Sequence, residues 1–241
     1  MSLPVITLDV DWAPDFVIDE VASLLINDGV RATWFITHAS PAIERLKDYP
    51  DLFELGIHPN FQPGSTHGST PEEVLDHMGE LVPSPSSVRT HALVQSTPLL
   101  AQMFRRFPSL KADLSLFLPH STRCEFSLFA HGGSLVTRIP YIWEDDLEMD
   151  FPEQVWRLEG LDKCKGLRVF DFHPIHIILN DPSMSSYIKL KSLGKPLREL
   201  GDSEVNQFRQ TCDGPRSMFE DAIAILKSSG GGKRVVDLID L

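Results

Sequence analysis

Two carboxylates, Asp9 and Asp11, stand two residues apart at the end of the apolar, partly β-branched run Val5-Ile6-Thr7-Leu8, and Pro14 closes the stretch. The run reads as a buried strand that ends in acid. Side chains two apart on a strand share a face, so both carboxylates would enter one pocket. Like charges that close repel unless a shared proton or a cation relieves them, and a metal ion is the simplest relief. The competing reading is one helix-capping aspartate beside one solvated aspartate. The same delivery recurs along the chain. His58 follows Leu52-Phe53-Glu54-Leu55-Gly56-Ile57, Arg89 and His91 follow Ser87-Val88, and His173 and His176 follow Val169-Phe170-Asp171-Phe172. Singly, each suits a hydrogen-bonded loop histidine or a surface ion pair of little worth. Together they put Asp, His, Arg and His at strand ends, and in parallel α/β folds those ends share one rim.

The elements that must position them alternate. After Pro14, residues 15–28 carry Val17, Val21, Leu24 and Leu25 at helical spacing, with Gly29 where a C-cap belongs. Residues 31–37 form a second buried-strand candidate, and Ser40-Pro41 supplies an N-cap and a first helical position. Thr70-Pro71-Glu72-Glu73 announces a helix with an acidic first turn, and Thr97 to Arg106 is a helix stopped by Phe107-Pro108. Residues 87–93 read as a fourth strand, which would put Arg89 and His91 on one face. This alternation implies βαβ units and a parallel sheet or barrel. Between Asp113 and Asp150 the grain changes, with hairpin-like pieces around Gly132-Gly133 and an acidic Trp143-Glu144-Asp145-Asp146. Residues 217–228 are the clearest late helix, and Gly230-Gly231-Gly232 leads into a short apolar tail. No fixed-period repeat or long linker interrupts the chain, so residues 1–241 read as one domain.

Composition narrows the partners. With 42% hydrophobic and 23% charged residues the chain suits a globular fold. A net charge of -12 without a long basic run argues against nucleic acid or an anionic membrane, although a small anionic substrate depends on the local field. Cys124, Cys164 and Cys212 are widely spaced and lack a C-x-x-C, which suits reduced thiols. With neither a signal-peptide pattern nor an apolar run of bilayer length, the expected location is cytoplasmic. No G-x-S-x-G elbow points to a serine hydrolase.

In their order, these residues resemble the polysaccharide deacetylases, the NodB-type carbohydrate esterases. Leu8-Asp9-Val10-Asp11-Trp12 is similar to the family's strand ending in two aspartates, and Ala32-Thr33-Trp34-Phe35 to its Ala-Thr-Phe-Phe. Glu54-Leu55-Gly56-Ile57-His58 matches Glu-x-Gly-x-His, Arg89 the family's arginine, and Phe172-His173-Pro174 its late histidine. The resemblance covers residues 4 to 180. Within the family, Gly56 to Phe61, Arg89-Thr90-His91, Trp143 to Asp146 and Phe172 to His176 look like a branch associated with surface-polysaccharide and O-antigen biosynthesis. It implies a distorted (β/α) barrel and hydrolysis of acetyl groups on sugars with a divalent metal, zinc foremost and cobalt, nickel or iron tolerated by mixed N/O donors. It further implies Asp9 as general base held by Arg89, Asp11 and His58 as metal ligands, and His173 or His176 as the acid that protonates the leaving amine. Two departures stand out: Val10 separates the usually adjacent aspartates, and Gln62 occupies the place of the family's second histidine. The third ligand is then expected from His91 first, His67 second, and Asn60 or a water third. Asn60, Phe61 and Trp143 would offer contacts or an apolar wall to a sugar ring, and Glu144, Asp145 and Asp146 acceptors to its hydroxyls. Trp143 reads equally as core and the acidic triplet as a solvated turn. The expected substrate is an N-acetylated sugar, sugar nucleotide or lipid-linked glycan. The rivals are a non-catalytic sugar- or metal-binding barrel and another metal-dependent amide hydrolase.

Overall fold

The computed structural model describes residues 3–131, 133–161 and 163–239. The strands are β1 (Pro4–Asp9), β2 (Ala32–Ile36), β3 (Phe53–Ile57), β4 (Ser87–Val88), β5 (Ala112–Asp113), β6 (Arg123–Cys124), β7 (Ser127–His131), β8 (Ser134–Arg138), β9 (Trp143–Glu144), β10 (Lys165–Gly166) and β11 (Arg168–Phe172). Helices α1 (Asp15–Asp28), α2 (Pro41–Leu46), α3 (Pro71–Leu81) and α4 (Thr97–Arg106) alternate with the early strands. After β9 come α5 (Asp145–Glu148), α6 (Pro174–Leu179), α7 (Ser185–Lys191), α8 (Asp202–Asn206) and α9 (Pro215–Ser228).

The main sheet runs β7-β8-β5-β4-β3-β2-β1-β11-β9, parallel throughout except for the β7–β8 hairpin. Gly132 of the expected hairpin turn lies outside the described residues. The sheet curls, and irregular backbone bridges its two sides. The Tyr141 N–H donates to Leu116 O on the β5 side at 3.1 Å, and the next N–H, of Ile142, donates to Val169 O in β11 at 3.0 Å. The result is a distorted, half-open (β/α) barrel.

Strand alternation sorts the residues. Ile6 and Leu8 of β1 and Phe170 and Phe172 of β11 face the main helical core, where Val17, Ile18, Val21 and Leu25 of α1 also lie. The alternate residues Val5, Phe35 and Val169 form a separate buried cluster inside the barrel with Ala112, Leu114, Tyr141 and Val235. Thr7, Thr33, Glu54, Ser87 and Asp171 are buried polar residues on the same alternation. α1 ends where expected: Gly29 adopts φ 63° and its N–H caps Ile26 and Leu25. α3 carries the expected capping box between Thr70 and Glu73.

Gly56 occupies an inward position, where an added Cβ would lie 2.7 Å from the Phe35 ring and from Ser87 Oγ. The glycine therefore leaves Phe35 its place in the barrel. Glu54, two residues earlier, accepts hydrogen bonds from the hydroxyls of Thr33, Ser86 and Ser87 and from the Val236 N–H. Val235 N–H donates to Thr33 Oγ1, so the C-terminal segment closes the barrel floor.

Candidate active site

At the C-terminal rim, four backbone segments converge. β1 ends at Asp9, and the chain then turns through left-handed geometry at Asp11 (φ 42°) and Trp12 (φ 55°). The turn is pinned by Trp12 N–H to Thr37 Oγ1 at 3.1 Å. Asp11 thus reaches the rim by a turn; the simple strand alternation expected from the sequence does not apply to it. β4 likewise stops at Val88. Arg89 N–H donates to Ile57 O and His91 N–H to Pro59 O, and Ala92 and Leu93 take positive φ. His91 enters the site from a 3₁₀ turn (His91–Leu93), which corrects the expected shared strand face with Arg89.

Three donor atoms meet there. His58 Nε2 lies 3.2 Å from His91 Nδ1 and 3.3 Å from Asp11 Oδ1, and His91 Nδ1 lies 3.3 Å from the same Oδ1. Ligands about 2.0–2.1 Å from one tetrahedral ion stand roughly 3.3 Å apart, so this near-equilateral triangle fits a small divalent cation. Asp11 Oδ1 is buried and meets only these two ring nitrogens, neither in good hydrogen-bond geometry, which suits an oxygen awaiting a cation. Burial alone would raise the Asp11 carboxyl, yet hydrogen bonds and charge from His58 and His91, with His173 adding its charge, hold it well below the usual range. A mixed nitrogen–oxygen donor set of this kind is that of catalytic zinc sites.

Flanking the triangle is a buried guanidinium. Arg89 Nη1 donates to Asp9 Oδ1 at 2.8 Å and also to Asp171 Oδ1, while Nη2 donates to Thr7 Oγ1 at 2.8 Å. Its Cζ stands 4.7 Å from the Phe35 ring centroid and 4.5 Å from that of Tyr141. Burial disfavours the arginine's charge, but Asp171 and Asp9 outweigh it and raise its pKa. Burial pushes Asp171 well above the usual carboxylate range although Arg89 pulls the other way. Asp9 Oδ2 remains 3.4 Å from His58 Nε2, facing the triangle.

Opposite stands His173. Asp145 accepts from its backbone N–H and from ring Nδ1, each at 2.7 Å, leaving Nε2 3.6 Å from Asp11 Oδ2. Burial would lower this histidine, but the Asp145 and Asp146 carboxylates raise it well above its ordinary value. A cavity of about 250 Å³ joins these groups, lined also by Tyr141, Glu144 and Asp146. Burial, then the charge of Asp146, pushes Glu144 up to about 8, and Tyr141 Oη donates to it at 2.7 Å.

The structure therefore brings together Asp9, Asp11, His58, Arg89, His91 and His173, with Glu144 on the wall. The remaining candidates lie elsewhere. His67 turns away: its Nδ1 accepts the Asn60 N–H, and its ring lies 5.3 Å from that of Trp12. His176 is buried behind His173, with ring centroids 5.6 Å apart, and burial lowers its pKa. Trp143 is fully buried against Trp156, Phe170 and Phe172, so it has no surface to offer a sugar ring. Asp145 is fully buried on His173 and offers nothing to a hydroxyl. Asn60 lines a neighbouring cavity that shares Asp11 with this one, and Phe61 lines another groove. Asp171 and Tyr141 escaped sequence reasoning. The signal for Asp171 was its position two before His173, on the inward alternation that Thr7 holds two before Asp9.

A family model described as WbmS-like polysaccharide deacetylase matches residues 6–191. Among solved structures, the chain is similar to WbmS of Bordetella bronchiseptica, whose assignment as a polysaccharide deacetylase of O-antigen biosynthesis is itself a proposal. Identity is 34%, with 92% of this chain and 90% of that chain covered and a TM-score of 0.75. More distant likenesses include the 4-alpha-glucanotransferase of Thermococcus litoralis (10% identity, 85% and 38% covered, TM-score 0.44) and the peptidoglycan deacetylase PdaC of Bacillus subtilis (13%, 99% and 89%, 0.42). No curated protein matches the sequence significantly. With the family model spanning most of the chain and a one-third-identical structure sharing its fold, the chain belongs to the WbmS-like polysaccharide deacetylases.

Proposed function

We propose that the chain hydrolyses the acetamide of an N-acetylated sugar used in surface-polysaccharide biosynthesis, with a divalent ion, zinc foremost, held by Asp11, His58 and His91. The observation that carries this reading is the donor triangle flanked on one side by the Asp9–Arg89 pair and on the other by His173–Asp145. When bound, the ion supplies Lewis acidity that makes water a nucleophile near neutral pH and stabilises charge growing on the carbonyl oxygen.

The chain's own groups do the rest. Arg89 ties down Asp9 Oδ1, which leaves Oδ2 to accept a proton from the attacking water. Water adds its oxygen to the acetyl carbon, and the C–N bond breaks as the amine takes a proton, giving acetate and the free amino sugar. His173 is placed to give that proton: its Nε2 faces the cavity, and Asp145 stabilises the imidazolium and fixes the ring. His176, without a face on the cavity, is the weaker candidate for this role. Glu144 and Asp146 offer polar groups to the sugar hydroxyls on the same wall.

The test is acetate release from a panel of N-acetylated sugars, before and after chelation and after return of Zn²⁺ or Co²⁺. Release that disappears with the metal and returns with it supports the reading. A metal-replete protein that releases no acetate, whether from amides or from O-acetyl esters, overturns it.

A further inference from the structure

A second cavity of about 480 Å³ opens from the same rim, and the two cavities share Asp11. Its walls include Trp12 and Gln62 from the first half of the chain and Tyr187, Lys191 and Arg198 from the second. The chain as a whole is acidic, with 34 Asp and Glu against 22 Lys and Arg. This lining reverses the balance: it carries two cations, and Asp11, which points its carboxylate at the histidines, is its single acid. Lys191 Nζ rests 5.1 Å from the Tyr187 ring centroid, and among the described residues neither Lys191 nor Arg198 forms an ion pair with a carboxylate. Other exposed basic residues are held in ion pairs, as with Arg45–Asp19, Lys195–Glu204 and Lys227–Asp28, whereas these two face a shared concavity.

Cations left unpaired in a concave wall focus a positive field where the rest of the surface is negative. Arginine offers a planar fork and lysine a compact point charge, and both are donors of choice for phosphate oxygens. Trp12, whose ring centroid lies 5.4 Å from that of His91, and Tyr187, beside Lys191, add flat apolar surface to the same lining. Resting on the deacetylase reading above, we infer that the substrate is an N-acetylated sugar carrying a phosphate ester or diphosphate, whose phosphate is bound by Lys191 and Arg198 while its acetamide lies at Asp11, His58 and His91. The field of this wall draws the anionic substrate to an otherwise repulsive molecule and selects it over a neutral sugar.

Two arms test this. In the first, inorganic pyrophosphate is titrated calorimetrically into the chelator-treated protein and into the Lys191→Gln/Arg198→Gln double variant, whose folding is checked by circular dichroism. Salt-sensitive binding that weakens tenfold or more in the double variant supports the subsite; no binding, or equal binding by the variant, overturns it. Uridine diphosphate and farnesyl diphosphate, titrated in parallel, distinguish a nucleotide from a lipid as the bearer of the phosphate. In the second arm, kcat and KM for acetate release are compared between N-acetylglucosamine and its uridine-diphosphate ester. The expected advantage of the ester lies in KM and falls at least tenfold in the double variant, while Lys47→Gln/Lys227→Gln, an equal loss of two positive charges outside both cavities, leaves it intact. An equal preference for the neutral sugar overturns the inference. Pyrophosphate binding that is lost in the double variant, with no acetate released from any sugar, retains the anion subsite and removes the deacetylase reading instead.

Discussion

His173 and Asp145 are joined twice, through backbone N–H and ring Nδ1, by the two oxygens of one fully buried carboxylate. That double grip fixes the ring's rotation, its tautomer and its charge together. Replacing Asp145 with Asn removes the charge while keeping the size. The histidine's pKa then falls, and the alkaline limb of the kcat/KM profile moves to lower pH. Turnover at neutral pH drops by roughly 10²-fold, the lower part of the range for losing a general acid. Because the folded-state pKa of His173 is raised, its contribution to stability is complete below the unfolded value of about 6.5 and is lost as pH rises through the folded pKa. Urea midpoints compared at about pH 6 and about pH 9 should show this alkaline loss in wild type and not in Asp145→Asn.

Asp9→Asn and Asp11→Asn separate base from ligand. Asp9→Asn should lower turnover by roughly 10²- to 10⁴-fold with metal content nearly intact. Asp11→Asn should lower both, since it weakens one corner of the donor triangle. Metal analysis by mass spectrometry alongside kcat decides the matter, and full metal with full rate in both variants would end the assignment.

Arg89→Met tests the buried charge cluster. It leaves Asp9 and Asp171 without their shared cation, and breaking a buried pair in this way costs about 3–5 kcal/mol. The urea midpoint should fall accordingly. Asp171→Asn keeps the shape and an acceptor for Arg89 and leaves Asp9 to neutralise the guanidinium, so it should cost far less.

Chelation should destabilise as well as inactivate. The three donors come from the turn after β1, the end of β3 and the 3₁₀ turn after β4, so one ion ties three segments together. At a free concentration of about 100 Kd, binding adds about 2.7 kcal/mol, worth roughly 5–10 °C in Tm for a chain of this size. Differential scanning calorimetry with and without chelator measures it, and an unchanged Tm would argue against an ion at this site.

Much of this site was legible because parallel strands write their function at their C-terminal ends. Asp9, His58, Arg89 and His173 each follow an apolar run that reads locally. Asp11 and His91 do reach the rim, but not by the strand alternation expected for them: both sit in turns with positive φ nearby, which period-two reasoning does not describe. Asp171 was passed over because Val169-Phe170-Asp171-Phe172 reads as an apolar strand, and the polar partner that makes Asp171 meaningful, Arg89, is 82 residues away. Glu144 and Asp145 are adjacent in an acidic run, yet one faces the cavity and the other is sealed behind His173. Only the strand-to-helix transition between β9 and α5 decides which.

The barrel floor closed by Val235 and Val236 bears on how the chain matures. A nascent polypeptide that has emerged only as far as α6 already holds the donor triangle, the Asp9–Arg89 pair and His173, yet the Thr33 hydroxyl and one oxygen of Glu54 still lack the backbone donors that Val235 and Val236 bring. During translation the mouth can assemble over an unsealed base, and water has access to the interior from below until the last segment docks.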